Sequence, residues 1–425
     1  MASNEELFER ARRVIPGGVD SPVRSFRSVG GTPYFVARAE GAYVWDVGGR
    51  RYTDYVQSWG ASILGHAHPK VVEAVQRAAA DGTSYGAPTE REVLLAEAIR
   101  DRVPSCERVR LVSSGTEATM TAVRVARGFT GRDKVVVFDG CYHGHSDTLL
   151  AAGGSGLATS ALSQRGVPGS VGVPASAVAD TVVVPYNVVP AIDAEVAAVL
   201  VEPVAANMGL VAPAAGFLEG LRTACDAAGA LLIFDEVITG FRLGRGGAQE
   251  RFGVTPDLTC MGKVIGGGLP LAAFGGRADV MACLAPEGPV YQAGTLSGNP
   301  LATAAGLAVL ELLDAGAYAQ LSGRAAELAG GLAQVIADAG LPVSVPVVGP
   351  LLTVFFNPVA PVDFATSKAS DAAAYAAFFH QMLDRGVAFA PSPFEALFPS
   401  LAHTKNELER TVDLAAADAA AVAGA

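Results

Sequence analysis

From residue 71 onward, stretches with apolar residues at helical spacing alternate with short, largely apolar runs. No other feature limits the fold as much. The helical stretches cover 71–80, 90–100 and 116–127, and the apolar runs cover 109–112, 134–138, 182–184, 198–201 and 231–234. Runs of three to five apolar residues suit strands buried on both faces of a parallel sheet. Parallel strands in turn need crossovers long enough to be helices. The alternation therefore predicts an α/β fold around a mainly parallel sheet.

At 425 residues the chain exceeds what one hydrophobic core serves, and with 50% hydrophobic and 17% charged residues it can fill more than one. The expected organisation is an N-terminal arm and meander over 1–60, a large α/β domain over 61–309, and a smaller α+β domain over 310–425, with the arm contributing to the smaller lobe. Ser3-Asn4-Glu5-Glu6 reads as a capping box, followed by Leu7, Ala11, Val14 and Ile15 on one helical face. Short β-prone runs between Tyr34 and Tyr55, broken at Glu40-Gly41 and Gly48-Gly49, predict an antiparallel meander. Two uncharged stretches, 288–310 and 339–362, carry prolines and are expected to be buried strand and loop. The Gly-, Ser- and Pro-rich segment 152–179 reads equally well as a disordered insertion or a lid.

The net charge of −11 makes phosphate backbones and anionic membranes poor partners, and no basic run interrupts it. Cys106, Cys141, Cys225, Cys260 and Cys283 include no C-x-x-C pair, which predicts reduced thiols and a cytoplasmic location. The acidic N-terminal segment does not resemble a secretory or transit signal. No metal site is expected: His66-Ala67-His68 and His143-Gly144-His145 each offer two ligands and no third.

Three segments carry chemistry-bearing residues. In the first, the run ending at Val112 passes through Ser113-Ser114-Gly115-Thr116 straight into a helix. Free N–H groups at a helix start seat phosphate, although the same residues serve as an ordinary cap. In the second, Leu231-Leu232-Ile233-Phe234 ends in Asp235-Glu236, which places Asp235 at the edge of the sheet where α/β proteins bind ligands. A capping or metal-binding carboxylate is the alternative. In the third, Lys263 is the only charged residue between Asp257 and Arg277 and lies among glycines. An amine in apolar surroundings is pushed toward its neutral, nucleophilic form, while a surface lysine leaving a loop is the plainer reading. An anion seat, an acid for a ring nitrogen and an amine for an aldehyde are together what pyridoxal 5′-phosphate requires. Gly266-Gly267-Gly268 lacks the strand–G-x-G-x-x-G–helix frame that would favour a dinucleotide.

Ser114-Gly115-Thr116, Asp235-Glu236-Val237, Gly262-Lys263 and Gly294-Thr295-Leu296-Ser297-Gly298-Asn299-Pro300 resemble the class III, fold-type I aminotransferases. Pro16-Gly17-Gly18-Val19-Asp20-Ser21-Pro22-Val23-Arg24, Tyr142-His143-Gly144-His145 and Pro393-Phe394-Glu395-Ala396 resemble the aminomutase branch of that family. The likeness covers nearly the whole chain. It implies a fold-type I pyridoxal-phosphate-dependent transferase with Lys263 as the catalytic amine. It also implies that the cofactor, in its pyridoxal and pyridoxamine forms, contacts Ser114, Gly115, Thr116, Tyr142, His143, Asn207, Asp235 and Val237. Thr295 is implied to reach the phosphate from the partner subunit of a homodimer. Ser21, Arg24, Trp59, Ser155 and Glu395 are implied to face the substrate, and 153–172 to be a gating loop. The implied reaction is the isomerisation of glutamate 1-semialdehyde to 5-aminolevulinate through 4,5-diaminovalerate, in tetrapyrrole (porphyrin) biosynthesis. An aminotransferase using a free 2-oxo acid is the alternative. Asp20, Val171, Cys260 and Leu397 depart from the branch's usual residues, which bears on substrate affinity more than on the reaction.

Overall fold

A computed structural model describes residues 2–151 and 167–423. Helix α1 (Asn4–Arg12) starts with the expected box: Ser3 Oγ accepts from the Glu6 N–H, and the Glu6 carboxylate accepts from the Ser3 N–H. It ends sooner than the apolar spacing suggested, and Val14 is exposed. Pro16 accounts for this, because the residue before a proline is driven out of helical geometry and Ile15 is extended. The meander follows as β1 (Val36–Glu40), β2 (Tyr43–Asp46) and β3 (Arg51–Asp54), paired antiparallel.

The alternating region then contributes α2 (Pro69–Asp81), α3 (Glu90–Arg100), β4 (Arg108–Val112), α4 (Gly115–Thr130), β5 (Lys134–Phe138), α5 (Ala175–Val178), β6 (Thr181–Val184), β7 (Val196–Val201), α6 (Phe217–Ala228), β8 (Leu231–Glu236), α7 (Gly247–Phe252), β9 (Leu258–Met261), β10 (Ala272–Gly276) and α8 (Ala278–Met281). Seven strands form one sheet in the order β4-β10-β9-β8-β7-β5-β6. Strands β9, β8, β7, β5 and β6 run parallel, and β10 is antiparallel to both β9 and β4. All but β10 therefore point the same way, and their C-terminal ends share one edge. β7 and β8 are buried throughout, and burying each of Leu232, Ile233 and Phe234 contributes roughly 1.5–3 kcal/mol. β10 escaped sequence reading because Ala-Ala-Phe-Gly-Gly has little β-propensity. Its glycines instead let neighbouring strands close in: a Cβ at Gly275 would lie 2.6 Å from the Arg108 carbonyl.

The segment 288–310 is not strand and loop throughout. Its second half enters α9 (Pro300–Leu312), because Pro300 stands at the first helical position and Asn299 accepts from the Leu301 and Ala302 N–H groups. α9 packs against α2 and α3. The remainder is α10 (Ala315–Asp338), β11 (Val347–Val348), β12 (Leu351–Leu352), α11 (Phe364–Ser367), α12 (Ala372–Asp384), β13 (Val387–Ala388) and α13 (Lys405–Ala423). β13 pairs parallel with β3, which ties the C-terminal part of the chain to the N-terminal meander. α13 packs along α10 and α12. No single helix among the described residues is long and apolar enough to cross a membrane.

Candidate functional site

Five elements deliver side chains or N–H groups to the shared C-terminal edge of the sheet. β8 ends in Asp235, which is 5% exposed. Its Oδ1 accepts from the Val237 N–H at 3.1 Å, and its Oδ2 lies 2.7 Å from His143 Nδ1. The adjacent Glu236 points the other way. Its carboxylate accepts from the Ala248 and Gln249 N–H groups, Gln249 Nε2 and Thr239 Oγ1, so it is a buried clamp on the start of α7. Of the two neighbouring acids, only Asp235 opens onto the cavity.

β9 leads through Gly262 into a short 3₁₀ turn, Lys263–Gly266. Lys263 starts that turn with φ +48°, a left-handed conformation uncommon for a side-chain-bearing residue and often found at functional positions. α4 opens at Gly115 with Ser114 as its cap, whose Oγ accepts from the Glu117 N–H. Helix geometry leaves the Gly115 and Thr116 N–H groups without intrahelical partners. Val237 sits against both glycines of the site: an added Cβ would come within 3.1 Å of it at Gly115 and 3.3 Å at Gly262. Side chains at those positions would fill the floor of the cavity.

The turn after β5 carries Tyr142 and His143. Gly144 closes it at φ +84°, where a Cβ would be 2.5 Å from Thr116 Oγ1 and 2.7 Å from Thr116 Cα. Only glycine permits that approach of the turn to the helix start. His143 is 3% exposed, and its Nε2 is buried without a partner among the described residues. β7 ends in Glu202, which accepts from the Tyr142 N–H at 2.7 Å, the Ala206 N–H at 2.9 Å and Asn207 Nδ2 at 2.9 Å. Burial pushes the Glu202 carboxyl above its usual range. Sequence reading passed over Glu202, although Val196–Val201 followed by a carboxylate is the same signal that picked out Asp235.

These groups enclose a cavity of about 300 Å³ that brings together Ser114, Gly115, Thr116, Tyr142, His143, Asn207, Asp235, Val237 and Lys263. A second cavity of about 660 Å³ meets it at Leu269 and is walled in part by Arg24, Ser58 and Trp59. Ser21 is half-buried at the head of the Pro22–Ser25 turn and lines neither cavity. Glu395 also lines neither, yet its charge reaches the Lys263 amine. Thr295 is exposed in the segment before α9 and does not line this chain's own cavity. Ser155 and most of the expected gating loop, 152–166, lie outside the described residues. His66 Nε2 is 2.7 Å from Asp54 Oδ2 and His143 is engaged with Asp235, and among the described residues no group of three or more His, Cys, Asp or Glu side chains is placed to hold a metal ion.

The residues present fit pyridoxal 5′-phosphate. An anion seat at a helix start, a carboxylate, a flat aliphatic floor and an amine all open onto one cavity, and an orphaned imidazole nitrogen stands beside the carboxylate. Burial lowers the Lys263 amine below its ordinary 10.5. Glu395, Glu202 and Asp235 oppose that shift without overcoming it, and the Arg242 guanidinium adds to it. Two consequences follow in sign. The folded state disfavours the extra proton, so between the lowered value and 10.5 stability gains with rising pH. The fraction of reactive neutral amine also rises earlier than in a free lysine. The rate at which cofactor-free protein takes up pyridoxal 5′-phosphate, followed by visible absorbance, is expected to climb with pH and level off below pH 10.5. A plateau only above that pH would contradict the burial argument.

A family model described as aminotransferase class-III matches residues 26–416. The chain is similar to glutamate-1-semialdehyde 2,1-aminomutase of Bordetella avium (strain 197N), with 57% identity over 98% of each chain. Among solved structures, an omega-transaminase from Sphaerobacter thermophilus superposes with TM-score 0.91 at 36% identity, covering 100% of this chain and 98% of that one. A glutamate-1-semialdehyde-aminomutase variant from Pseudomonas aeruginosa PAO1 in complex with PMP superposes with TM-score 0.86 at 29% identity, covering 98% and 93%.

Proposed function

This chain belongs to the class III aminotransferase family, and from that premise we propose that it isomerises glutamate 1-semialdehyde to 5-aminolevulinate for tetrapyrrole synthesis. What carries the reading is the convergence of Lys263, Asp235 and the start of α4 on one cavity, in a chain 57% identical to a named aminomutase. Substrate and product are isomers that exchange an amino group and a carbonyl oxygen between adjacent carbons. The balance closes without a second amino acid or oxo acid, by way of 4,5-diaminovalerate.

Bound pyridoxal 5′-phosphate supplies an aldehyde that takes up an amino group and a protonated ring that draws electrons from a breaking C–H bond. The protein's part divides among named residues. The N–H groups of Gly115 and Thr116, with the Ser114 and Thr116 hydroxyls nearby, bind the phosphate at the positive end of α4. Asp235 would keep the ring nitrogen protonated, and His143 holds Asp235 in place at 2.7 Å. Val237 and Tyr142, which line the same cavity, would pack against the ring. Glu202 fixes both Tyr142 and Asn207 through its hydrogen bonds. Lys263 Nζ would hold the cofactor covalently and, when released, would carry the proton between the substrate carbon and the cofactor. Arg24 and Ser21 bind the substrate carboxylate, Arg24 through its planar fork. Trp59 and Glu395 complete the pocket, and Thr295 acts on the phosphate of a partner subunit in a cytoplasmic homodimer.

The superposition on an omega-transaminase keeps an ordinary amino transfer to a free 2-oxo acid as the second reading. Purified protein given glutamate 1-semialdehyde and no 2-oxo acid separates the two. Continued accumulation of 5-aminolevulinate is expected. Arrest after one equivalent per site would establish the transaminase instead.

A further inference from the structure

Arg242 heads the fully buried side chains by size and is 1% exposed. Its Nη2 donates to the Gly60 carbonyl at 2.5 Å, and its guanidinium lies 5.2 Å from the centre of the Phe398 ring. Nε and Nη1 have no hydrogen-bond partner among the described residues, and no carboxylate there forms an ion pair with it. A buried cation without a counter-charge is costly, so its retention calls for a purpose other than stability. Burial lowers its pKa to about 9, which leaves it cationic at neutral pH.

Its neighbours are the segments that form the substrate side. Gly60 ends a turn in which Gln57, Ser58 and Trp59 are all left-handed, at φ +44°, +53° and +58°. Three such residues in succession hold only where the surroundings over-determine them. Asp54 fastens the front of the turn, accepting from the Val56 and Gln57 N–H groups, while Gln57 Nε2 donates to the Asp54 carbonyl. Its rear end rests on Arg242 and Phe398, and a Cβ at Gly60 would be 2.7 Å from Phe398 Cε1. Phe398 follows Glu395 by three residues, and its N–H donates to the Tyr55 carbonyl at 2.8 Å. Arg242 itself follows Asp235 and Val237 on the loop after β8. Three distant stretches of chain thus meet at one guanidinium.

We propose that Arg242 is a positioning residue for the substrate cavity: it pins the left-handed turn against Phe398 and so sets where Trp59 and Glu395 stand relative to Lys263. This rests on the reading of Trp59 and Glu395 as substrate-facing. The same cation lies close enough to Lys263 to favour its neutral amine, which agrees with a place between the two cavities.

The test uses full-length holoenzyme in a Trp45→Phe background, which leaves Trp59 the only tryptophan of the chain's two. Arg242→Gln and Arg242→Lys are compared with their parent. In Arg242→Gln, KM for the semialdehyde is expected to rise about ten-fold or more while kcat changes less than about three-fold. Trp59 emission should move to longer wavelength, and uptake of pyridoxal 5′-phosphate should be retained. Arg242→Lys keeps the charge but not the fork, and should recover only part of the KM. Unchanged KM and emission overturn the proposal. Parallel losses of cofactor uptake, kcat and melting temperature also overturn it, since they mark a purely structural residue. Should both variants fail to fold, Gly60→Ala displaces the same turn without altering Arg242, and absence of the KM and emission changes there overturns the proposal as well. A parent protein that ignores the semialdehyde ends the substrate reading alone, because Trp59 emission and cofactor uptake still decide the role of Arg242.

Discussion

Replacing Lys263 with alanine is expected to lower turnover by at least about 10⁴-fold while leaving the fold intact, because one side chain supplies both the covalent link and the proton carrier. The amine is held below its ordinary pKa by burial, so removing it takes away an unfavourably buried charge and should not lower the melting temperature. Cofactor should still bind through the start of α4 and Asp235, with the visible absorbance of the lysine-bound form lost. Turnover within about ten-fold of the parent in Lys263→Ala would falsify the assignment, whatever the substrate proves to be.

The second large effect belongs to Asp235. Asparagine has nearly the same shape and can still accept from the Val237 N–H, but it has no charge to keep a proton on a ring nitrogen. A loss of about 10²–10³-fold in kcat is expected for Asp235→Asn, the scale of removing one preorganised electrostatic contact to a reacting group. Cofactor retention is the control. If the variant binds pyridoxal 5′-phosphate and turns over at the parent rate, the carboxylate serves only to hold His143, and the ring-nitrogen role fails. Loss of binding alone would place Asp235 among the residues that shape the cavity.

The large sheet was legible because fully buried parallel strands must be apolar at every position. Leu231 to Phe234 and Val196–Val201 meet that condition, and the acid that follows the first of them could be read as the ligand edge. β10 was not legible, since its alanines and glycines are chosen for close strand approach and carry no periodic signal. α9 was obscured for a different reason: a proline counted as a breaker is equally a helix starter when Asn precedes it. Of the neighbouring acids, the sequence singled out Asp235 by its place at the end of the apolar run, while the opposite facing of adjacent strand residues is what turns Glu236 away from the cavity. Arg242 gave no signal at all, as its importance lies in Gly60 and Phe398, which are far away along the chain.

By itself, the order of residues determined the α/β class, the strand whose end bears an acid, the helix start suited to phosphate and the lone lysine among glycines. All of these depend on local spacing and on burial, which composition reports directly. Only the tertiary structure decided that Lys263, Asp235 and Gly115 border one cavity, that Glu202 steadies its wall, and that the turn bearing Trp59 is pinned from the far side. Those relations come from the common direction of the strands and from packing between segments tens to hundreds of residues apart. Distance in space of that kind leaves no mark in the spacing of a single chain.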